Sequence, residues 1–218
     1  MKIKSSARGR PQNPEHCKRQ NERILLAATK IFSSKGYVET EMQRIADQAG
    51  IAKGTLYLYF KSKKDLFFAV LDRLMILLRQ KLHRDLLNVS DPIQRFKINT
   101  AGVLTFCDEH PEFVDLLIQE RAFFKNGEQS LFLKHVQEEM QIQCENHDKL
   151  IKDGRIRNIS KDAVFTVYSD LIYGAIMNKV SAGVRYCKFI DKSNYIVDLC
   201  LNGLLTEKER NPGLLNVS

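Results

Sequence analysis

Long apolar runs are missing from this 218-residue chain. No stretch approaches the roughly 18–20 apolar residues that span a bilayer, so an integral-membrane protein is not expected. The opening Met1-Lys2-Ile3-Lys4-Ser5-Ser6-Ala7-Arg8 has no apolar segment behind it, so no secretory leader is expected either. Cysteine is sparse, odd in number and dispersed: Cys17, Cys107, Cys144, Cys187 and Cys200. That pattern suits scattered thiols in a reducing compartment rather than a disulfide framework, and makes a cytoplasmic location the expectation. Sustained period-two alternation is absent, and with it the signature of half-buried strands. No internal repeat or low-complexity tract stands out. Nucleophile elbow, phosphate-binding loop, dinucleotide fingerprint and His-Glu-x-x-His are all lacking. An enzyme therefore has no visible site, and no cofactor is expected.

What the chain does have is ordinary globular composition, 44% hydrophobic and 28% charged, with a net charge of +8. Its length allows a sizeable core. The charge is unevenly placed. Residues 1–64 hold 14 Lys and Arg against 5 Asp and Glu, whereas residues 65–218 hold 20 against 21. A neutral body with a basic head points to a polyanion, either nucleic acid or an acidic surface. The bland alternative is a solvated lysine-rich face.

Read along the chain, residues 1–18 carry Gly9, Pro11 and Pro14 with no apolar periodicity, and are expected to form a flexible basic arm. From Arg19, Ile24, Ala28, Ile31 and Phe32 recur at helical spacing until Gly36, which suits a helix end. Thr40-Glu41-Met42-Gln43 fits a capping box with Thr40 as N-cap, opening a short helix that Gly50 stops. Another short helix is expected over about 53–60. Ser62-Lys63-Lys64-Asp65 then offers a second box, leading into a long helix towards Leu87. Further helices are read over about 91–109, 111–124, 129–153, 160–183 and 191–205. The fold class is all-α.

Residues 19–66 hold three short helical segments with a tight turn, Ala49-Gly50-Ile51-Ala52, between the second and third, which is a helix-turn-helix pattern. Gly50 suits the left-handed exit such a turn needs, with Ile51 available to plug the core beneath. On a wheel of about 100° per residue, Leu56 and Phe60 share one face and anchor the third helix. Lys53, Gly54, Thr55, Tyr57, Leu58 and Tyr59 spread over its flanks and outer faces. Gly, Thr, Tyr and Leu facing outward make sense if that face meets a groove. Gly54 permits close backbone approach, Thr55 can bond a base edge or touch a thymine methyl, and tyrosine hydroxyls can reach phosphates. In the arm, Arg8-Gly9-Arg10-Pro11 is the core of an AT-hook-like motif suited to A·T-rich minor grooves, with a plain basic tail as the alternative.

The string Gly36-Tyr37, Thr40, Ile45-Ala46, Ala49-Gly50-Ile51-Ala52-Lys53-Gly54-Thr55-Leu56-Tyr57, Tyr59-Phe60-Lys61-Ser62-Lys63 and Leu66 closely resembles the DNA-binding domain of TetR-type (tetracycline-repressor-like) regulators. The match covers about residues 19–66. It implies that Lys53–Tyr59 is a recognition helix in the major groove, and that Thr40, Tyr57, Tyr59 and Lys63 lie near phosphates. Two positions depart from the pattern. Glu41 stands where a Ser or Thr is frequent, and Ala52 replaces a frequent Ser, removing a side-chain cap worth roughly 1 kcal/mol.

Residues 65–205 place aromatic and sulfur side chains at helical spacing, and most should be core. A subset could line a pocket, with a few polar groups fixing a ligand. The candidates are Phe106, Gln119, Phe123, His135, Gln143, Tyr168, Tyr173 and Met177. Two Cys-x-x-His pairs, Cys107/His110 and Cys144/His147, would hold zinc only if their helices met; chance spacing is the preferred reading, and no metal is expected. Residues 164–180 are apolar on more than one face, and Tyr195, Leu199 and Gly203 lie on a stripe of the last helix. Helices of that kind are buried twice. The resemblance implies a two-fold interface using Val167, Leu171, Ala175, Tyr195, Leu199 and Gly203.

The expectation is a basic arm over 1–18, a helix-turn-helix domain over 19–64, and a helical ligand-binding and dimerisation domain over 65–218, entered by the long helix. The expected function is a sequence-specific transcriptional regulator, a homodimeric repressor on inverted-repeat double-stranded DNA. A small apolar or aromatic inducer would release it by tilting the long helix. The rival readings are a ligand-independent architectural DNA-binding protein and a helical enzyme with a basic appendage.

Overall fold

The computed structural model describes residues 14–126, 130–143, 147–181 and 188–202. Every regular element among them is helical, and none of these helices is long and apolar enough to cross a membrane. The chain divides into two compact units, one ending at Arg73 and one starting at Leu74.

In the first unit, α1 (Pro14–Glu39) is followed by α2 (Met42–Ala49), α3 (Lys53–Tyr59) and the opening turns of α4 (Lys63–Leu86). α1 starts inside the stretch read as arm. Pro14 at its head and Glu15 in its first turn are both favourable there, because proline lacks an amide that would go unused and a carboxylate opposes the helix dipole. Gly36 breaks the helix with φ 80° and ψ 161°, a conformation essentially confined to glycine. Beyond it, the Thr40 hydroxyl donates to the Gly36 carbonyl at 2.6 Å. Thr40 is thereby consumed closing the turn, so the N-cap of α2 is Glu41, without a side-chain cap. The capping box expected at Thr40 does not form. At Ser62 the N-cap bond of the second box forms: the hydroxyl accepts from the Asp65 amide at 3.0 Å.

This unit has an aromatic core. Phe67 of α4 meets the rings of Phe32 and Tyr37 edge-on, each with centroids 5.3 Å apart. Ile24, Ala28, Ile45, Ala46, Leu56, Leu66 and Leu71 complete it. Burial of each large side chain here contributes about 1.5–3 kcal/mol.

The second unit contains the rest of α4, then α5 (Pro92–Glu109), α6 (Pro111–Glu120), α7 (Leu131–Gln143), α8 (His147–Lys152), α9 (Lys161–Ser181) and α10 (Ser193–Asn202). A 3-10 turn, Arg121–Asn126, takes the place of the last turn read for the sixth helix. Within the span read as one helix over 129–153, the described residues form α7 and α8, and residues 144–146 between them lie outside the described residues. α5 opens with Asp91 accepting from the Gln94 amide at 3.0 Å and Pro92 at the first position. It packs against α4 so closely that a Cβ on Gly102 would come 2.6 Å from Leu82 Cδ2. Both α9 and α10 pack on α5. Asp108 of α5 fixes the approach to α10, its two oxygens accepting from the Phe189 and Ile190 amides at 2.8 and 2.9 Å.

Candidate nucleic-acid interface

The turn between α2 and α3 takes its shape from Gly50, which sits in the left-handed region with φ 65° and ψ 42°. Its amide bonds the Asp47 carbonyl at 3.0 Å and the Ile51 amide bonds that of Ala46 at 2.9 Å, so the end of α2 is closed by its own backbone. Arg23 of α1 adds a donor from outside, its guanidinium 2.8 Å from the Ala49 carbonyl. A Cβ on Gly50 would approach that same guanidinium to 3.0 Å. Ile51 is half-buried under the turn.

α3 rests on one residue. Leu56 is fully buried, Phe60 half-buried, and the other side chains turn outward. Lys53 and Gly54 are exposed, Thr55 is half-buried, and Tyr57 and Leu58 are 44% and 81% exposed. No atom lies within 4 Å of where a Gly54 Cβ would stand. An 81%-exposed leucine beside an exposed tyrosine on a short helix offers apolar contact to a partner. Ala52 is the N-cap and, as its composition dictates, makes no side-chain cap.

Three of the polar residues assigned to DNA are already engaged within the head. Thr40 is 2% exposed, its hydroxyl spent on Gly36. The Lys63 ammonium donates to the carbonyls of Tyr37, Val38 and Thr40 at 2.8, 3.1 and 3.0 Å. Tyr59 hydrogen-bonds the Cys17 thiol at the start of α1, and desolvation together with that contact holds its phenol above the usual tyrosine range. Arg8 and Arg10 lie outside the described residues. Sequence reasoning missed Arg23, whose signal, an arginine on the polar side of α1, is indistinguishable from any surface cation until α2 is placed. It also missed the ion pair of Glu22 with Arg73, in which Arg73 Nε lies 2.8 Å from Glu22 Oε1 and fastens α1 to α4.

Three of the ligand candidates, His135, Tyr173 and Tyr168, lie in two polar clusters of the second unit. In one, the buried Glu120 carboxylate accepts from the Leu131 amide at 2.6 Å and the Ser130 hydroxyl at 3.0 Å, capping α7. Desolvation pushes its pKa up, against those hydrogen bonds and His135. His135 Nδ1 lies 2.9 Å from the Arg79 guanidinium; since arginine only donates, this nitrogen is the acceptor. Tyr173 packs on Phe132 and is raised by desolvation in the field of Arg121 and Glu120. In the other cluster, the Tyr168 hydroxyl meets Thr100 Oγ1 at 3.1 Å and its ring meets Phe96. Burial raises that phenol as well. Phe106 is buried against Phe113 and His110, and Met177 is buried. Phe123 and Gln119 are half-buried. The Gln143 side chain lies outside what is described. Of the Cys-x-x-His pairs, Cys107 is buried and His110 Nδ1 lies 3.0 Å from Glu112 Oε1, while Cys144 is outside the described residues.

The residues assigned to an interface, Gly203 apart, lie on α9 and α10. Leu171, Gly174, Ala175, Tyr195, Ile196 and Leu199 line a groove of about 340 Å³. Val167 and Tyr195 are 58% and 74% exposed. Gly203 is outside the described residues.

Residues 24–70 match the family model described as bacterial regulatory proteins, tetR family. The matched span runs from the buried face of α1 through the Gly50 turn and α3 into α4. Residues 24–70 are thus a DNA-binding domain of the kind found in TetR-family transcriptional regulators. The family model describes regulatory proteins. The chain is similar to the HTH-type transcriptional repressor NicS of Pseudomonas putida, with 32% identity over 102 residues, or 47% of this chain and 48% of that one. It thus spans about half the length of the curated relatives it matches. Two solved structures of regulators share its fold. The fatty acid degradation regulator FadR from Bacillus halodurans has a TM-score of 0.73 at 17% identity, covering 89% of this chain and 98% of that one. FadR from Bacillus subtilis, in complex with stearoyl-CoA, has a TM-score of 0.68 at 19% identity, covering 84% and 99%.

Proposed function

We infer that the protein is a homodimeric repressor that binds inverted-repeat DNA through α3 and is released by an apolar ligand with a polar head. The observation that carries the DNA reading is the outer surface of α3: Gly54, Tyr57 and Leu58 exposed on a helix pinned from beneath by Leu56. Lys53, Gly54, Thr55, Tyr57, Leu58 and Tyr59 would meet the major groove. Thr40 and Lys63 would hold the turn that orients α2, and Lys63 would also strengthen the local positive potential. Repression, rather than activation, is favoured by the likeness to a relative named as a repressor.

Dimerisation is favoured by the apolar groove and exposed side chains of α9 and α10, a surface a monomer would leave wet. A two-fold dimer presents two recognition helices, and therefore selects half-sites spaced by about one helical turn or somewhat more.

For the ligand, the two classes weighed are an aromatic compound and an acyl chain. The stearoyl-CoA bound to the B. subtilis FadR favours an acyl chain with an anionic head. His135 with Arg79, and Tyr168 with Thr100, are the polar groups offered for orientation. Such a ligand shifts DNA affinity only if it binds two conformations unequally. α4 starts in the DNA-binding unit and continues into the second, and so is the lever. A coupling of about 1–3 kcal/mol would release DNA 5–150-fold.

The experiment is thermal-shift screening of acyl-CoAs of increasing chain length and of simple aromatic acids, followed by binding to a selected duplex with and without each hit. Hits that weaken DNA binding support the reading. Hits that stabilise the protein yet leave DNA affinity unchanged refute the lever and favour a ligand-independent regulator.

A further inference from the structure

α3 has little of its own to fix its direction. It is 7 residues long, Leu56 is its buried anchor, and its N-cap Ala52 makes no side-chain bond. Its two ends are held instead from α1. Before its start, the Arg23 guanidinium donates to the Ala49 carbonyl at 2.8 Å. At its last residue, the Tyr59 hydroxyl hydrogen-bonds the Cys17 thiol. From Cys17 to Arg23 the rise along α1 is about 9 Å, and α3 is about 10 Å long, so the two contacts are spaced to match its two ends. The Ala49 contact has the greater leverage. A carbonyl in the last turn of a helix lacks an intrahelical partner, and this one belongs to the peptide that joins Ala49 to Gly50. The plane of that peptide sets φ of Gly50, the left-handed residue from which the chain leaves for α3. Turning α3 by about 10° at this point would move its far end by about 2 Å, well beyond the roughly 0.5 Å within which a binding constellation must be held.

We propose that Arg23 is a positioning residue for sequence discrimination: by pinning the Ala49 peptide it sets the angle at which α3 enters the groove, without itself reading a base. The inference rests on the reading of α3 as the DNA-recognition helix. A residue with this role acts on the difference between right and wrong sequences. A misdirected α3 loses its contacts to base edges, whereas the phosphate attraction that supports non-specific binding persists. An arginine bonded to a phosphate would instead act on all duplexes alike and would carry a share of the salt dependence. Arg23 is exposed apart from its bond to the turn, so its replacement leaves the packed core of the unit untouched.

The test uses the full chain, a duplex it selects from a random pool and a scrambled duplex of the same length, with the active fraction of each variant titrated so that misfolded chains do not enter the affinity. Arg23→Met keeps the aliphatic stem and removes the donors; Arg23→Lys keeps a donor. Arg23→Met should lose about tenfold on the selected duplex and less than about twofold on the scrambled one, about the worth of one base contact. Its slope of log affinity against log salt should stay unchanged, and Arg23→Lys should recover most of the discrimination. An equal loss on both duplexes with a slope reduced by about 0.9 makes Arg23 a phosphate contact and overturns this inference alone. So does undiminished discrimination, whether or not the active fraction falls. Failure of the unsubstituted chain to select any duplex overturns the recognition-helix reading and this inference with it.

Discussion

The Lys63 ammonium stands 4.5 Å from the centre of the Tyr37 ring and donates to the Tyr37 carbonyl at 2.8 Å. With Val38 and Thr40 as its other acceptors, it spends its three protons on the end of α1 and the turn behind it. A cation there also opposes the negative end of the helix dipole. The turn it closes is the one that leads into α2, and through α2 to α3.

Lys63→Ala should therefore lower stability by about 1–2 kcal/mol and weaken binding to all duplexes alike, leaving the selected consensus unchanged. Denaturant melts and salt titrations of DNA binding check this. The slope of log affinity against log salt should stay as it is, whereas loss of a direct phosphate contact would reduce it by about 0.9.

Leu58 gives the opposite pattern. Being 81% exposed, it should accept serine with stability changed by no more than about 0.5 kcal/mol. Affinity for the selected duplex should nevertheless fall about tenfold, near 1.4 kcal/mol. A Thr55→Ala chain should select an altered consensus. Unchanged DNA binding by Leu58→Ser would remove α3 from the interface.

On α10, Leu199 is 41% exposed in the single chain, so Leu199→Asp should cost the isolated fold little. If α9 and α10 pair across a two-fold axis, the variant should be monomeric by light scattering and lose binding to inverted repeats. A dimeric Leu199→Asp chain would put the interface elsewhere.

Glu120 links pH to stability. Because burial raises its folded-state pKa, the folded chain keeps this proton at pH values where the unfolded chain has released it. Stability should fall as pH rises from the ordinary glutamate range through the raised value, and level off above it. Glu120→Gln should flatten that slope while keeping an acceptor for the Leu131 amide. Glu120→Ala strands that amide and the Ser130 hydroxyl, at about 1–3 kcal/mol.

What the sequence made readable follows from locality. Gly50 ends α2, Leu56 anchors α3 and Ser62 caps α4, each through contacts within a few residues. Thr40 misled because two local acceptor geometries compete for one hydroxyl, and the Gly36 carbonyl prevails over the α2 amides. Pro14 was a legible helix start, masked by the absence of apolar spacing in the turn that follows it. The remaining site contacts join distant segments: Cys17 to Tyr59, Arg23 to Ala49, Lys63 to Tyr37, Glu120 to Leu131. No periodicity encodes such pairs, since each depends on how two helices cross.

The central claim is that the outward face of α3 reads a specific duplex as one half of a symmetric pair. Selection of the full chain on random duplexes, followed by a salt titration on the winner, tests it most directly. The expected result is an inverted-repeat consensus whose log affinity falls steeply and linearly with log salt, by about 0.9 for each phosphate contacted. No enriched consensus, or an affinity indifferent to salt, would contradict it.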